Sequence, residues 1–358
     1  MALELTSRER VLASIHHSEP DRVPIDYVGN SGITRRLMAH FECATFDSLL
    51  DFLNVDFRGV GAPYIGPRLH AEVDGVNVDP CWGTQTIWIE HESGGYNDYF
   101  GWPLRDASPE TLASWPMPSP DDFDYAAVAD QIGRHRGRCI VIGHAGVADI
   151  INSTGMIRTM ERTLLDLAEE DEAALAYIDW RLDIQLEWLR RTLEAGKGRI
   201  DILYIGEDLG TQIGPMISLP MYRRLLRPRH QRFVDLAKSF DIPVMFHSCG
   251  SSSWAFEDFI EMGVSIIDTL QPEAAGMEPS SLKQRFGDRL TFHGCISTAG
   301  PVAYGTVDEV TEYCRATLVT MMPGGGYCFA PTHALQDNSP TENVVAMYEA
   351  AMRYGRYG

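Results

Sequence analysis

The segment Pro243-Val-Met-Phe-His247-Ser248-Cys249-Gly250 ends a short apolar run of β character in a histidine and a cysteine two positions apart. Side chains at i and i+2 of an extended strand point the same way, so His247 and Cys249 can share one small ligand. Imidazole nitrogen with thiolate sulfur suits zinc, which takes three protein ligands and keeps an open position when it does chemistry. A His-x-Cys pair alone is a weak signal. Its weight depends on which elements could bring further donors beside it.

Those elements alternate. Thr6-Ser-Arg-Glu9 has the spacing of a capping box, and Val11, Leu12 and Ile15 follow at helical intervals, which predicts a first helix to about His17. Eight strand candidates come next: Val23 to Val28, Asp56 to Val60, Cys139 to Gly143, Asp201 to Ile205, Val244 to His247, Ser265 to Asp268, Leu290 to His293 and Tyr327 to Ala330. Helices are expected between them, among them Met156 to Leu167, Glu172 to Ala195 and Met221 to Phe240. Eight strands alternating with helices predict an α/β fold, a (β/α)8 TIM barrel, with its site on the loops at the strand C-termini. One domain over 1–358 is expected, with 68–105 as a β-hairpin insertion after the second strand. A doubly wound open sheet would want a glycine-rich turn after a strand, whereas Gly324-Gly-Gly326 precedes one.

A closed barrel gathers residues that sequence spacing keeps apart. At its C-terminal face it would bring together Asp26, His144, Glu207, Asp208, Gln212, Asp268, Gln271, Cys295, Cys328 and His333 with His247 and Cys249. His333 lies just past the last strand and is the favoured third metal ligand. Cys328 is the alternative, although a small buried cysteine is also an ordinary core residue. Cys295 and His293 alternate along one strand face, where a supporting polar or core role is expected. Glu207 and Asp208 directly follow a strand and are the candidate catalytic carboxylates, against a turn or capping role. Asp26, His144, Gln212, Asp268 and Gln271 are the candidate substrate contacts.

Composition narrows the partners. A formal net charge of −20 excludes electrostatic tracking of nucleic acid or anionic membrane, so the expected substrate is a small molecule. Seven cysteines, odd in number and irregularly spaced, argue for reduced thiols. Neither a secretory leader nor an apolar run of membrane-spanning length is present, which makes a cytoplasmic protein the expectation.

Several motifs together resemble the uroporphyrinogen decarboxylase superfamily, and within it the corrinoid-dependent methyltransferase branch. They are Arg10-Val-Leu to Asp21-Arg-Val-Pro24, Gly206-Glu-Asp-Leu-Gly-Thr-Gln212, His247-Ser-Cys-Gly250, Ala275-Gly-Met277, Leu282-Lys-Gln-Arg-Phe-Gly287, Pro323-Gly-Gly-Gly326 and Pro340-Thr-Glu-Asn343. The resemblance spans nearly the whole chain and implies the same barrel. Asp26-Tyr-Val-Gly-Asn30 stands where the decarboxylases carry an arginine-bearing Met-Arg-Gln-Ala-Gly-Arg stretch, which disfavours decarboxylation. In the coenzyme M methyltransferases of the superfamily a His-x-Cys pair and a distant cysteine bind zinc. His247 and Cys249 match the pair, and His333 falls where the distant cysteine would be. The resemblance therefore implies zinc, and a corrinoid (cobalamin) carried by a partner protein as methyl acceptor. A methoxylated small molecule is the expected methyl donor, with Trp82, Trp88 and Tyr96 of the insertion as pocket walls, and a homodimer is possible. The other readings are methyl transfer from a corrinoid protein to a thiol such as coenzyme M, a uroporphyrinogen-type decarboxylase, and a non-catalytic binding barrel.

Overall fold

The computed structural model describes residues 4–91 and 94–358. Its strands, in chain order, are β1 (Phe57–Val60), β2 (Asn77–Val78), β3 (Gln85–His91), β4 (Gly94–Tyr99), β5 (Cys139–Gly143), β6 (Ile202–Gly206), β7 (Val244–His247), β8 (Ile266–Leu270), β9 (Thr291–Ile296) and β10 (Tyr327–Pro331). Seven of them form one sheet in the order β1-β5-β6-β7-β8-β9-β10, every pair parallel. These match seven of the eight expected strands.

The eighth, Val23 to Val28, closes the circle. Ile25 bridges Phe329 of β10 in parallel, with Asp26 N–H donating to the Phe329 carbonyl at 2.9 Å and Phe329 N–H to the Pro24 carbonyl at 2.8 Å. On the other flank, Asp56 N–H donates to the Ile25 carbonyl at 2.8 Å. The segment is not a regular strand because Pro24 has no N–H, and the Ile25 N–H goes to the Asp56 carboxylate at 2.9 Å. Asp56 is fully buried and also accepts from Arg10 Nη1 and Arg22 Nη1, each at 2.7 Å.

The helix Ser7–Ile15 seals the bottom of this barrel. Its capping box forms as expected, Glu9 N–H donating to Thr6 Oγ1 at 3.2 Å and Thr6 N–H to Glu9 Oε2 at 2.9 Å. Val11 and Ile15 pack against Phe57, Cys139, Ile202, Ile266 and Cys328, which stand at or near the starts of their strands. The barrel interior is therefore plugged by apolar side chains at its N-terminal end, and the His247–Cys249 pair stands at the other end.

Two helices differ from the sequence expectation. Residues 156–167 belong to two helices, Ile151–Arg158 and Met160–Glu169, because Thr159 between them holds φ +73 and its hydroxyl caps the second by accepting the Arg162 N–H at 3.2 Å. The helix expected from Met221 opens with a π turn, Tyr222–Leu226, before continuing as Arg227–Ser239. Within 68–105, β2, β3 and β4 form a small antiparallel sheet, paired from Thr86↔Tyr99 to His91↔Gly94. No helix among the described residues is long and apolar enough to cross a membrane.

Candidate metal centre

Strand parity builds a polar layer above the apolar plug. His247 on β7 stands opposite Asp268 on β8, and Ile267 opposite Phe292, which brings Asp268 level with His293 on β9. Asp268 Oδ2 accepts from His247 Nδ1 at 2.6 Å and from the Tyr204 hydroxyl. Asp268 Oδ1 meets His293 Nδ1 at 2.7 Å, and His293 Nε2 lies 3.1 Å from Asp26 Oδ2. Burial opposes charge on His293, but hydrogen bonds to Asp26 and Asp268 and their charges outweigh it and raise its pKa to about 10. Burial likewise pushes Asp268 up, and the two imidazoles outweigh that and hold it far below the usual carboxylate range. A fixed anion therefore sits behind His247.

With Nδ1 committed to Asp268, His247 presents Nε2 upward. Cys249 Sγ is 3.3 Å from that nitrogen and Asp208 Oδ1 is 3.6 Å from it. One donor atom from each of Asp208, His247 and Cys249 falls within 4.8 Å of the others. Donor atoms on a tetrahedral zinc stand about 3.4–3.6 Å apart, the edge set by metal–ligand lengths of about 2.0–2.3 Å. Imidazole, thiolate and carboxylate at these spacings fit such an ion, with one corner left for a ligand. Burial disfavours charge on His247, yet its bonds to Asp268 and Cys249 hold its pKa well above the ordinary histidine value. A metal taking Nε2 must displace a proton.

The loops bearing these donors are locked to each other. Cys249 N–H donates to Asp208 Oδ1 at 2.7 Å, Leu209 N–H to the buried Ser248 Oγ at 3.1 Å, and Glu207 N–H to the His247 carbonyl at 3.0 Å. A Cβ on Gly250, which holds φ +71, would sit 2.4 Å from the Gly210 carbonyl oxygen. A Cβ on Gly210 would sit 2.3 Å from Ser251 N. Both segments need glycine where they touch.

The other expected site residues scatter. His333 is exposed on the turn after β10 and does not join the donor group. Cys328 is buried one layer lower, against the N-terminal plug, where burial pushes its thiol far up. Cys295 is buried among core residues. Glu207 is fully buried, and its oxygens accept the N–H groups of Ile150 at 2.8 Å and Ile151 at 3.0 Å, anchoring the helix Ile151–Arg158. Burial raises its pKa to about 7. Gln271 Oε1 accepts the Gly250 N–H at 2.8 Å and so steadies the cysteine loop, while Gln212 is exposed and engages Ala275 N–H through its backbone carbonyl. Asp26 reaches the centre through His293.

His144 and Trp82 line a cavity of about 490 Å³ roofed by the insertion. Tyr96, half exposed on β4, and Trp88 lie outside its lining. Sequence reasoning missed Tyr204 and Asn152. Tyr204 shares the inward parity of Gly206 and could have been read from it. Asn152 Nδ2 donates to Asp208 Oδ2 at 2.7 Å from a helix 56 positions away, for which no local signal exists.

Fold and donors define a (β/α)8 barrel carrying a mixed nitrogen, sulfur and oxygen group at its strand C-termini. Residues 92–354 match the family model described as uroporphyrinogen decarboxylase (URO-D), and the chain belongs to that family. A methyltransferase from Methanosarcina mazei has the same fold, with a TM-score of 0.67 at 18% identity over 98% of this chain and 99% of that one. A D-psicose 3-epimerase crystallised in the presence of D-fructose aligns with a TM-score of 0.35 at 12% identity, over 69% of this chain and 84% of its own. No curated protein matches the chain.

Proposed function

We propose that this protein is a zinc-dependent methyltransferase that moves a methyl group from a methoxylated small molecule to the reduced corrinoid of a partner protein. The observation that carries the reading is the meeting of donor atoms from Asp208, His247 and Cys249 within 4.8 Å of one another, over a carboxylate-braced imidazole. Family membership and a fold shared with a methyltransferase support it. An ether methyl resists nucleophiles because its oxygen leaves badly, and a zinc ion held here would supply Lewis acidity for such an oxygen. One thiolate beside a carboxylate and an imidazole makes a harder donor set than two thiolates, which favours an oxygen leaving group over a thiol acceptor.

The chain's own residues do the rest. Asp268 orients His247 and keeps Nε2 aimed at the site, an arrangement that also raises the basicity of the ligand. Asn152 and the Cys249 N–H fix the Asp208 carboxylate. In the overall reaction the C–O bond of the ether breaks, the methyl carbon passes to the corrinoid cobalt, and the freed oxygen leaves protonated as an alcohol or phenol. The test is a screen of methoxylated donors against reduced cobalamin with product analysis. Demethylated product formed in step with methylated cobalamin is expected. A zinc-replete protein that binds donors and transfers nothing would overturn the reading.

A further inference from the structure

The cavity roofed by the insertion is not lined by the metal donors. It borders the helix Ile151–Arg158, and its volume of about 490 Å³ is within the range of small-molecule sites. Its walls carry five aromatic side chains, Trp82, Tyr99, Phe123, Tyr177 and Trp188, drawn from the insertion, the 120s segment and the helix Glu172–Ala195. Rings facing one space favour a flat π system over a saturated body of equal size.

The polar groups along the walls favour an acceptor. The two carboxylates are held by backbone: Asp79 Oδ1 accepts from Cys81 N–H at 2.9 Å and Trp82 N–H at 2.6 Å, and both oxygens of Asp149 are engaged, by Asn152 N–H at 3.1 Å and Ser153 N–H at 3.0 Å. The donors are less committed. Gln185 accepts the Ala148 N–H at 3.0 Å through Oε1, which leaves its amide NH2 to a ligand. Arg181 is buried, with Nη2 on the Asp149 carbonyl at 2.5 Å and Nε without a partner. A ligand bearing ether or phenol oxygens would match this edge.

The helix Ile151–Arg158 borders this cavity and is tied at its start to the loop that carries Asp208. Glu207 holds the backbone N–H groups of Ile150 and Ile151, and the neighbouring carboxylate, Asp208, is held by Asn152 from the same helix. Ser153, the next residue, lines the cavity. We propose that this cavity is a binding site for a planar aromatic molecule with oxygen substituents, and that the helix Ile151–Arg158 couples it to the metal centre with Asn152 as a positioning residue for Asp208. This rests on the methyl-transfer reading only for the identity of the ligand as methyl donor. Binding itself is independent of it.

Calorimetry on the metal-free protein with 1,2-dimethoxybenzene as probe, against 1,2-dimethoxycyclohexane, tests the site apart from any turnover. The aromatic probe should bind at least tenfold tighter than the saturated one. Trp82→Ala should weaken it about tenfold, and Trp82→Phe should restore most of the loss. Equal affinity for the two probes, or no change in Trp82→Ala of unaltered melting temperature, overturns the site. Asn152→Ala should leave probe affinity within threefold but lower zinc affinity about 10–100-fold, the cost of losing a group that orients a metal ligand. Unchanged zinc affinity in that variant overturns the coupling. Probe binding without methyl transfer to reduced cobalamin would sink the functional reading and leave the site standing.

Discussion

At the scale of single residues, the account turns on which side chain is the third metal donor. His333 and Cys328 were the expectations from chain order, and the geometry favours Asp208. Zinc-edge absorption should show one sulfur at about 2.3 Å, with nitrogen and oxygen at about 2.0–2.2 Å. Two sulfurs would implicate Cys328 and reverse the assignment. Cys249→Ala and Asp208→Asn should both lose zinc, while His333→Ala keeps it. The buried His293 makes a separate prediction. Its folded pKa of about 10 exceeds an unfolded value of about 6.5, so its contribution to stability is complete below about pH 6.5 and fades as pH rises towards 10. The melting temperature of the parent should fall between pH 7 and 9.5, and that of His293→Gln should fall less. An equal fall in both would show that the proton on His293 is not the cause. His247, Cys249 and Asp268 were legible because strand parity is a local property. Asn152 was not, because its partner is chosen by the packing of a helix onto a distant loop.

At the scale of elements, the barrel staves were readable because each is a short apolar run between turn residues; six fell within a residue or two of their expected bounds, and β9 runs three residues past its expected end. The eighth was readable as a run but not as an irregular stave, since the bond that replaces its ladder comes from the side chain of Asp56. The split at Thr159 escaped for a related reason: a positive φ at a threonine leaves no mark on the apolar periodicity. Asp56 carries the cost of that arrangement. It is fully buried between Arg10 and Arg22, so Asp56→Ala leaves the Arg22 guanidinium and the Ile25 N–H without their carboxylate, while Arg10 keeps Asp21. Removing one partner of a buried charge network costs about 3–5 kcal/mol. Chemical denaturation should report a loss of that order, and a loss near zero would mean that the closure does not depend on this carboxylate.

At the scale of the whole molecule, an apolar plug closes the N-terminal end and every metal donor lies at the opposite end, so ligands must arrive from the C-terminal face. That asymmetry follows from the sequence, which places apolar residues at strand starts and polar ones at strand ends. The cavity beneath the insertion does not, because three separated segments build it. The net charge of −20 makes association with a partner protein sensitive to salt, and an acidic partner would bind more tightly as ionic strength rises. The most direct test of the central claim is to strip metal from the protein, return zinc in measured steps, and follow methyl transfer from a methoxylated aromatic to reduced cobalamin. The account predicts no transfer by the stripped protein and a rise that reaches its plateau at about one zinc per chain, absent in Cys249→Ala. Full transfer by the stripped protein, or a plateau reached equally by Cys249→Ala, would contradict it.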